Sequence, residues 1–191
     1  PGDLFVVWHG DNSDGQEFVP AALEKGAVAV VSQAQPSEEL LAEHAHVPLF
    51  VSDNPRALLS HLASRLHGRP DAGISMIAVT GTNGKTSTTF IVEHLLRQCG
   101  RVAGRIGTQG ASLGELEFEL ARTTPEGSDL FRILRGMVDG GADSVVMEAS
   151  SHAIAQGRIE AASFDVAAFS NLSRDHFDFH GDLESYFEAK V

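Results

Sequence analysis

Residues 77–87 read IAVTGTNGKTS, an apolar strand that runs into a glycine turn ending in Lys85-Thr86 and opening a helix. That combination is a phosphate cradle. Gly81 and Gly84 let backbone N–H groups approach a polyphosphate, Lys85 can reach its terminal phosphates, and the Thr86 hydroxyl is placed to ligate magnesium. The general pattern has a further glycine five residues before the Gly-Lys pair, where this chain has Val79. The chemistry expected is that of a nucleoside triphosphate.

Three other groups of residues could act beside it. Glu148 ends an otherwise apolar run, SVVME, and a carboxylate at a strand tip is a hard oxygen ligand suited to Mg²⁺. His176 lies in SRDHFDFHG with Asp175, Asp178 and His180 nearby. That spacing reads as one ligand of a second metal, as part of a zinc site, or as a solvated acidic loop. Arg122, Thr123, Thr124, Ser150, Gln156, Arg158 and Arg174 supply donors and hydroxyls, and Arg158 could grip either a carboxylate or a phosphate through its planar fork. Any of them could equally serve caps or surface ion pairs. Lys190, at the end of the run 183–189, reads on its own as a surface lysine.

The elements that must position these residues alternate along the chain. Strands are expected at Leu4–Val7, Ala27–Val31 and Leu49–Ser52, with helices over Glu17–Lys25 and Pro55–His67. Asn54-Pro55 starts the second helix, and Leu58, Leu59, Leu62 and Leu66 form its expected buried stripe. The segment 68–73, GRPDAG, breaks both periodicities. The expected domains are therefore residues 1–68, a linker at 69–73, and residues 74–191. In the second domain a strand at 75–79 precedes a helix with the stripe Ile91, Val92, Leu95, Leu96 and Cys99, stopped at Gly100. A strand at 101–106 and an acidic stretch at 114–119 follow. Thr124-Pro125 is then expected to cap a helix with the stripe Leu130, Leu134, Met137 and Val138. Strands at 144–147 and 164–169 come last. The interleaved order predicts an α/β chain, a small N-terminal α/β domain followed by a doubly wound, mostly parallel P-loop sheet whose ligands sit outside the carboxyl ends of its strands.

Composition narrows the partners. The 191 residues carry 14 Lys+Arg against 26 Asp+Glu, a formal net charge of −12. A basic face for nucleic acid is not expected. No apolar run approaches a membrane span and no signal-peptide pattern precedes the first strand, so a cytoplasmic monomer is the expectation. The one cysteine, Cys99, excludes an intrachain disulfide and is expected to be a buried small hydrophobe.

Four strings taken together, TGTNGKTS, TTPEGSDL, MEASSHAIAQGRI and FSNLSRDHFDFHGDLESYFEAK, resemble the Mur ligase family of peptidoglycan synthesis, most closely the MurE branch that adds the third amino acid of the stem peptide. The similarity covers nearly the whole chain, and residues 1–31 are similar to the family's uridine-binding N-terminal domain. The family's P-loop also lacks the early glycine. The resemblance implies that Gly81, Thr82, Asn83, Gly84, Lys85, Thr86 and Ser87 bind the ATP phosphates. It puts Thr86 and Glu148 on a first Mg²⁺ and His176 on a second. Lys190 matches the lysine that the family carbamylates, and Lys85, Lys190 and His176 are the implied catalytic groups. Thr123, Thr124, Ser150, Gln156 and Arg158 match residues that contact UDP-N-acetylmuramoyl-L-alanyl-D-glutamate, while Asp11, Asn12 and Ser13 lie where the family's loop meets uracil and ribose.

The implied reaction has two steps, attack of the D-glutamate carboxylate on the γ-phosphate of ATP and displacement of phosphate by an incoming amine. The implied diamino acid is meso-2,6-diaminopimelate, with L-lysine as its rival. A folylpolyglutamate-synthetase-type ligase and a non-catalytic nucleotide-binding module are the other readings. The family's C-terminal domain is not expected within these residues, so the 191 residues alone are expected not to turn over. Asp53-Asn54-Pro55-Arg56 repeats a string the family uses in that domain, but here it reads as a helix start.

Overall fold

The structure, a computed structural model, describes residues 1–10, 14–35 and 37–191. Asp11, Asn12 and Ser13, the expected uracil and ribose contacts, lie outside the described residues. The chain divides into two compact units, Pro1–Leu59 and Ser60–Val191.

In the first unit β1 (Leu4–Val7), β2 (Ala29–Ser32) and β3 (Leu49–Val51) form a parallel sheet in that order. Between β1 and β2, Asp14 accepts the Gln16 N–H to cap a 3-10 turn at Gly15–Phe18, and α1 (Val19–Glu24) continues from it with a proline in its first turn. Its core is Val7, Val19 and Val30, with Phe5, Leu23, Leu40 and Leu49 packed around them. The sequence reading missed α2 (Glu38–Glu43), a helix of 6 residues capped by Ser37. Fewer than two turns are too few for a period to show.

Helix α3 (Pro55–Leu66) begins as expected, with the Asn54 side chain accepting the Ala57 N–H at 3.1 Å. Its buried face differs from the leucine stripe. Ser60, Ala63 and Ser64 are buried, whereas Leu62 is 36% exposed and Leu66 83%. Small side chains win because this face packs at backbone distance: a Cβ on Gly127 would stand 2.6 Å from the Ser60 Cα. After α3, Arg69 turns in the left-handed region and residues Pro70–Gly73 form a 3-10 helix, where the buried Asp71 carboxylate accepts the Ser163 N–H at 3.1 Å.

The second unit is built on six strands: β4 (Ser75–Thr80), β5 (Ala103–Gly107), β6 (Gly110–Leu113), β7 (Leu116–Phe118), β8 (Ser144–Glu148) and β9 (Val166–Phe169). Their order is β7-β6-β5-β8-β4-β9. Strands β5, β8, β4 and β9 run parallel, and the acidic stretch near residue 115 is the turn of an antiparallel β6–β7 hairpin. The expected fold class holds, a small α/β unit followed by a mostly parallel sheet.

Helix α4 (Lys85–Gln98) follows β4, and α5 (Gly127–Asp139) buries Leu130, Phe131, Ile133, Leu134 and Met137 in the main core. The α4 stripe is only partly as expected. Thr89 is buried and Val92 and Leu96 half-buried, but Ile91 and Leu95 are more than half exposed and Cys99 is exposed as the C-cap. The inward face runs through Thr89, Val92, Glu93 and Leu96, where Glu93 pairs with the buried Arg105 at 3.2 Å. A buried ion pair on the inner face rotates the helix away from its purely apolar stripe. Among the described residues no helix is long and apolar enough to cross a membrane.

Candidate functional site

The parallel strands β4, β5, β8 and β9 end on one edge of the sheet, and each supplies a loop to the site. In the β4–α4 loop Gly81 has φ +132°, and a Cβ there would fall 2.1 Å from the Ser170 hydroxyl. No other residue type fits that approach. Gly84, with φ +82°, is the N-cap of α4. The tail after β9 clasps the loop: Thr82 N–H donates to the Asn171 carbonyl (2.9 Å), Asn83 N–H to Asn171 Oδ1 (3.0 Å), and Ser170 Oγ to the Asn83 carbonyl (2.7 Å). With Thr82 and Asn83 amides committed to the clasp, the amides that open α4 are the ones left without intrahelical partners for an anion.

Lys85 folds back on this loop, its ammonium donating to the Gly81 carbonyl at 2.8 Å and the Thr82 carbonyl at 3.0 Å. Burial lowers its pKa, while the negative charges of Glu148 and Asp175 oppose that shift. Thr86 Oγ1 donates to Glu148 Oε2 at 3.1 Å. Glu148 is 1% exposed and accepts two more hydrogen bonds, from Thr108 N–H at 2.9 Å and Thr108 Oγ1 at 3.1 Å. Gly107 makes room for it, since a Cβ there would stand 2.2 Å from Glu148 Oε1. A hydroxyl and a carboxylate meeting beside a phosphate loop form an all-oxygen donor set. Those donors fit Mg²⁺.

Beyond Glu148 a second polar cluster forms. Thr108 Oγ1 lies 3.1 Å from Thr123 Oγ1. Thr124 is not the helix cap expected of it; Glu126 is the N-cap of α5, and the buried Thr124 hydroxyl donates to the Glu148 carbonyl (2.8 Å) and accepts the Ser150 N–H (3.0 Å). Ser150 caps α6 (Ser151–Ala155) by accepting the Ala153 N–H. The buried Arg158 donates to the Thr124 carbonyl (3.2 Å) and to Gln156 Oε1, and its Nε stands 3.2 Å from Glu126 Oε1. Thr123, Thr124, Ser150, Gln156 and Arg158 are thus brought together. Arg122 pairs with Glu126, and Arg174 lies over the Phe177 ring.

After β9, His176 is the N-cap of α7 (Phe177–His180) with φ 51° and ψ 33°, a left-handed conformation rare for a residue with a side chain. Its ring lies 4.6 Å from His152 and 6.3 Å from Tyr186, between centroids. His152 and His180 both have lowered pKa values, burial being the first cause in each; His176 follows for His152 and Lys190 for His180. Among the described residues no three His, Cys, Asp or Glu side chains form a group that could hold a metal ion.

Lys190 follows α8 (Leu183–Glu188) and is buried, not the surface lysine its sequence context suggests. Its ammonium lies 3.4 Å from the Gly81 carbonyl and 4.4 Å from the Tyr186 ring centroid. Burial and then the positive charge of Lys85 push its pKa down to about 8, against the opposing pull of Asp175. An amine so placed is neutral in an appreciable fraction near pH 7.5, which is the form that reacts with CO₂ to give a carbamate and a proton. The donor chemistry at Lys190 is therefore compatible with that modification.

Sequence reasoning missed Thr108, Tyr186 and the individual roles of His152, Ser170, Asn171 and Ser173. Thr108 carried no usable signal, since only the register of β5 beside β8 sets it against Glu148. Tyr186 carried none beyond its place four residues before Lys190.

Known proteins match the chain along its length. Residues 79–191 match the Mur ligase middle domain, and residues 1–67 match the domain described as Mur ligase family, catalytic domain. The UDP-N-acetylmuramoyl-L-alanyl-D-glutamate--2,6-diaminopimelate ligase of Geobacillus thermodenitrificans is 42% identical over 190 residues, covering 100% of this chain and 37% of its own length. The protein of the same name from Streptomyces avermitilis is 40% identical over 191 residues, with the same coverage. A solved structure of a ligase of that name superposes with a TM-score of 0.84 at 30% identity, over 100% of this chain and 38% of the other. The MurF ligase of Thermotoga maritima in complex with ADP shares the fold, with a TM-score of 0.61 at 23% identity over 99% of this chain and 39% of the other. The chain thus spans a little over a third of the length of these relatives.

Proposed function

Because the chain belongs to the Mur ligase family, we propose that it forms the uridine-binding and ATP-binding parts of a ligase that adds meso-2,6-diaminopimelate to UDP-N-acetylmuramoyl-L-alanyl-D-glutamate, with formation of ADP and phosphate. The observation that carries the reading is the Glu148 carboxylate, buried and joined to the phosphate loop through Thr86 at 3.1 Å. The choice of diaminopimelate rests on the relatives' names. A reaction drawing on ATP and a UDP-linked precursor belongs in the cytoplasm.

In this reading the α4 N-terminus receives the phosphates, and Lys85 exchanges its two carbonyl contacts for phosphate oxygens. Thr86 and Glu148 would hold one Mg²⁺, and His176 with a carbamylated Lys190 would serve a second. When bound, Mg²⁺ supplies charge neutralisation for transfer between anions. Thr108 keeps Glu148 aimed at that position. Thr123, Thr124, Ser150, Gln156 and Arg158 bind the muramoyl dipeptide and orient its free carboxylate toward the γ-phosphate. A carboxylate oxygen forms a bond to that phosphorus as the bond to ADP breaks. The acyl phosphate then takes the amine at its carbonyl carbon, loses phosphate, and gives up the amine proton. Forming an amide directly from a carboxylate in water is uphill, so activation must come first.

Calorimetry with Mg·ATP, and phosphate release by the full-length polypeptide with the muramoyl dipeptide and either diaminopimelate or L-lysine, test the reading. Uptake of Mg·ATP that Lys85→Ala weakens at least tenfold, with turnover on diaminopimelate, is the expected result. Absence of nucleotide uptake by the wild type would end it.

A further inference from the structure

Tyr186 heads the largest side chains that are fully buried, at 1% exposure, although it sits on a helix of 6 residues whose Leu183 and Phe187 are each more than 40% exposed. A tyrosine buried to that degree needs a partner for its hydroxyl. It finds Thr82 Oγ1 at 3.2 Å, across 104 residues of sequence. Its ring is engaged as well. Lys190, just past the end of that helix, places its ammonium 4.4 Å from the ring centroid, and the His180 ring stands 5.2 Å away.

The Thr82 hydroxyl has no capacity left for a ligand. It donates to the Ser173 carbonyl (3.1 Å) and accepts from Ser173 N–H (2.9 Å) and from Tyr186, and one donor with two lone pairs is then fully used. Thr82 N–H is also spent, on the Asn171 carbonyl. Thr82 is therefore a fastening point of the phosphate loop, and Tyr186 is tied to it directly. The neighbouring Gly81 carbonyl receives both lysines, Lys85 at 2.8 Å and Lys190 at 3.4 Å.

We propose that Tyr186 is a positioning residue of the nucleotide site, its hydroxyl fixing the phosphate loop through Thr82 while its ring seats Lys190, so that loop and lysine are held in one geometry. The inference rests on the reading of the loop as an ATP site. The two halves of the side chain separate cleanly. Phenylalanine keeps the ring under Lys190 and loses the tie to the loop; leucine loses both.

The test is a double-mutant cycle on Mg·ATP affinity in the full-length polypeptide, with Tyr186→Phe, Thr82→Val and the pair, and with amide hydrogen exchange over residues 183–190 as second readout. Each single variant is expected to weaken Mg·ATP three- to tenfold, and the pair to be no weaker than the worse single variant within a factor of two. Thr82→Ser, which restores the hydroxyl, is expected to bind within twofold of wild type. Exchange in 183–190 is expected to stay as in wild type for Tyr186→Phe and to speed up at least tenfold for Tyr186→Leu. Single effects that multiply in the pair, or a Tyr186→Phe variant with wild-type affinity, would overturn the inference. If Tyr186→Leu does not fold, the cycle alone decides. A wild type that takes up no Mg·ATP refutes the ATP reading, whereas a wild type that binds and a cycle without coupling refutes only the role of Tyr186.

Discussion

At the scale of single residues, the site is organised by what glycine leaves out. Gly107 ends β5 against the Glu148 carboxylate, and any Cβ there would overlap Oε1 at 2.2 Å. Since Oε1 is also the acceptor of Thr108 N–H at 2.9 Å, the carboxylate cannot retreat without giving up that bond. Gly107→Ala is therefore expected to displace Glu148 from Thr86 as well, weakening Mg·ATP at least tenfold and lowering stability by about 1–3 kcal/mol. Calorimetry and urea unfolding read the two effects separately. Wild-type Mg·ATP affinity in Gly107→Ala would show that the Glu148 position does not matter to nucleotide capture. The phosphate loop itself was legible in the sequence because its conformation follows from glycines and a lysine within a few residues of one another. Thr108 was not, because its partner Glu148 lies 40 residues away and only the register of β5 beside β8 makes them neighbours.

Elements show the opposite balance. The parallel strands were placed to within a few residues, since runs such as SVVME are buried on both faces and announce themselves by composition, whereas the β6–β7 hairpin was read only as an acidic stretch. Helix faces were read less well. Periodicity assigns the apolar side to the core, yet α3 packs through Ser60, Ala63 and Ser64 and leaves Leu66 outside. The reason is distance, and it can be tested at the α3–α5 contact. An alanine at Gly127 would put its Cβ 2.6 Å from the Ser60 Cα and 3.0 Å from its nitrogen, both backbone atoms that cannot rotate aside. Gly127→Ala should destabilise by about 1–3 kcal/mol despite alanine's better helix propensity. Gly136→Ala in the same helix meets only the outer ring atoms of Phe118 at 2.9–3.0 Å, a side chain that can move, and is expected to cost less. Chemical denaturation of the two variants compares them; the reverse order would mean that the α3–α5 contact is not at backbone distance.

The whole molecule responds to Lys190 through proton linkage. Folding buries its ammonium near Lys85 and lowers its pKa from the ordinary 10.5 to about 8. Between those values the unfolded chain binds more protons than the folded one, so stability rises with pH across that window. Below pH 8 the penalty on the buried ammonium is present in full, and above 10.5 it is gone. In CO₂-free buffer the unfolding free energy of wild type is expected to gain on that of Lys190→Met as pH is raised from 7 to 10. A wild type that loses ground over the same range would show that Lys190 is not held in this environment. At the same scale, a net charge of −12 means that anionic ligands must be captured by local fields. In the proposed function the helix N-terminus, Lys85 and the cluster around Arg158 would supply those fields.

By itself the sequence determined the α/β class, the phosphate loop, and the polar tails after β8 and β9, because backbone conformation and strand burial are encoded over spans of five to fifteen residues. It also marked Lys190 through resemblance alone, while its local context argued for the surface. Only the tertiary structure decided that Lys190 is buried, that Thr82 is consumed in fastening the loop, and that Tyr186 joins the two. Those outcomes depend on which strand lies beside which and how closely helices approach. Neither quantity is written in any local pattern, since each is set by side-chain volumes meeting across a hundred residues of intervening chain.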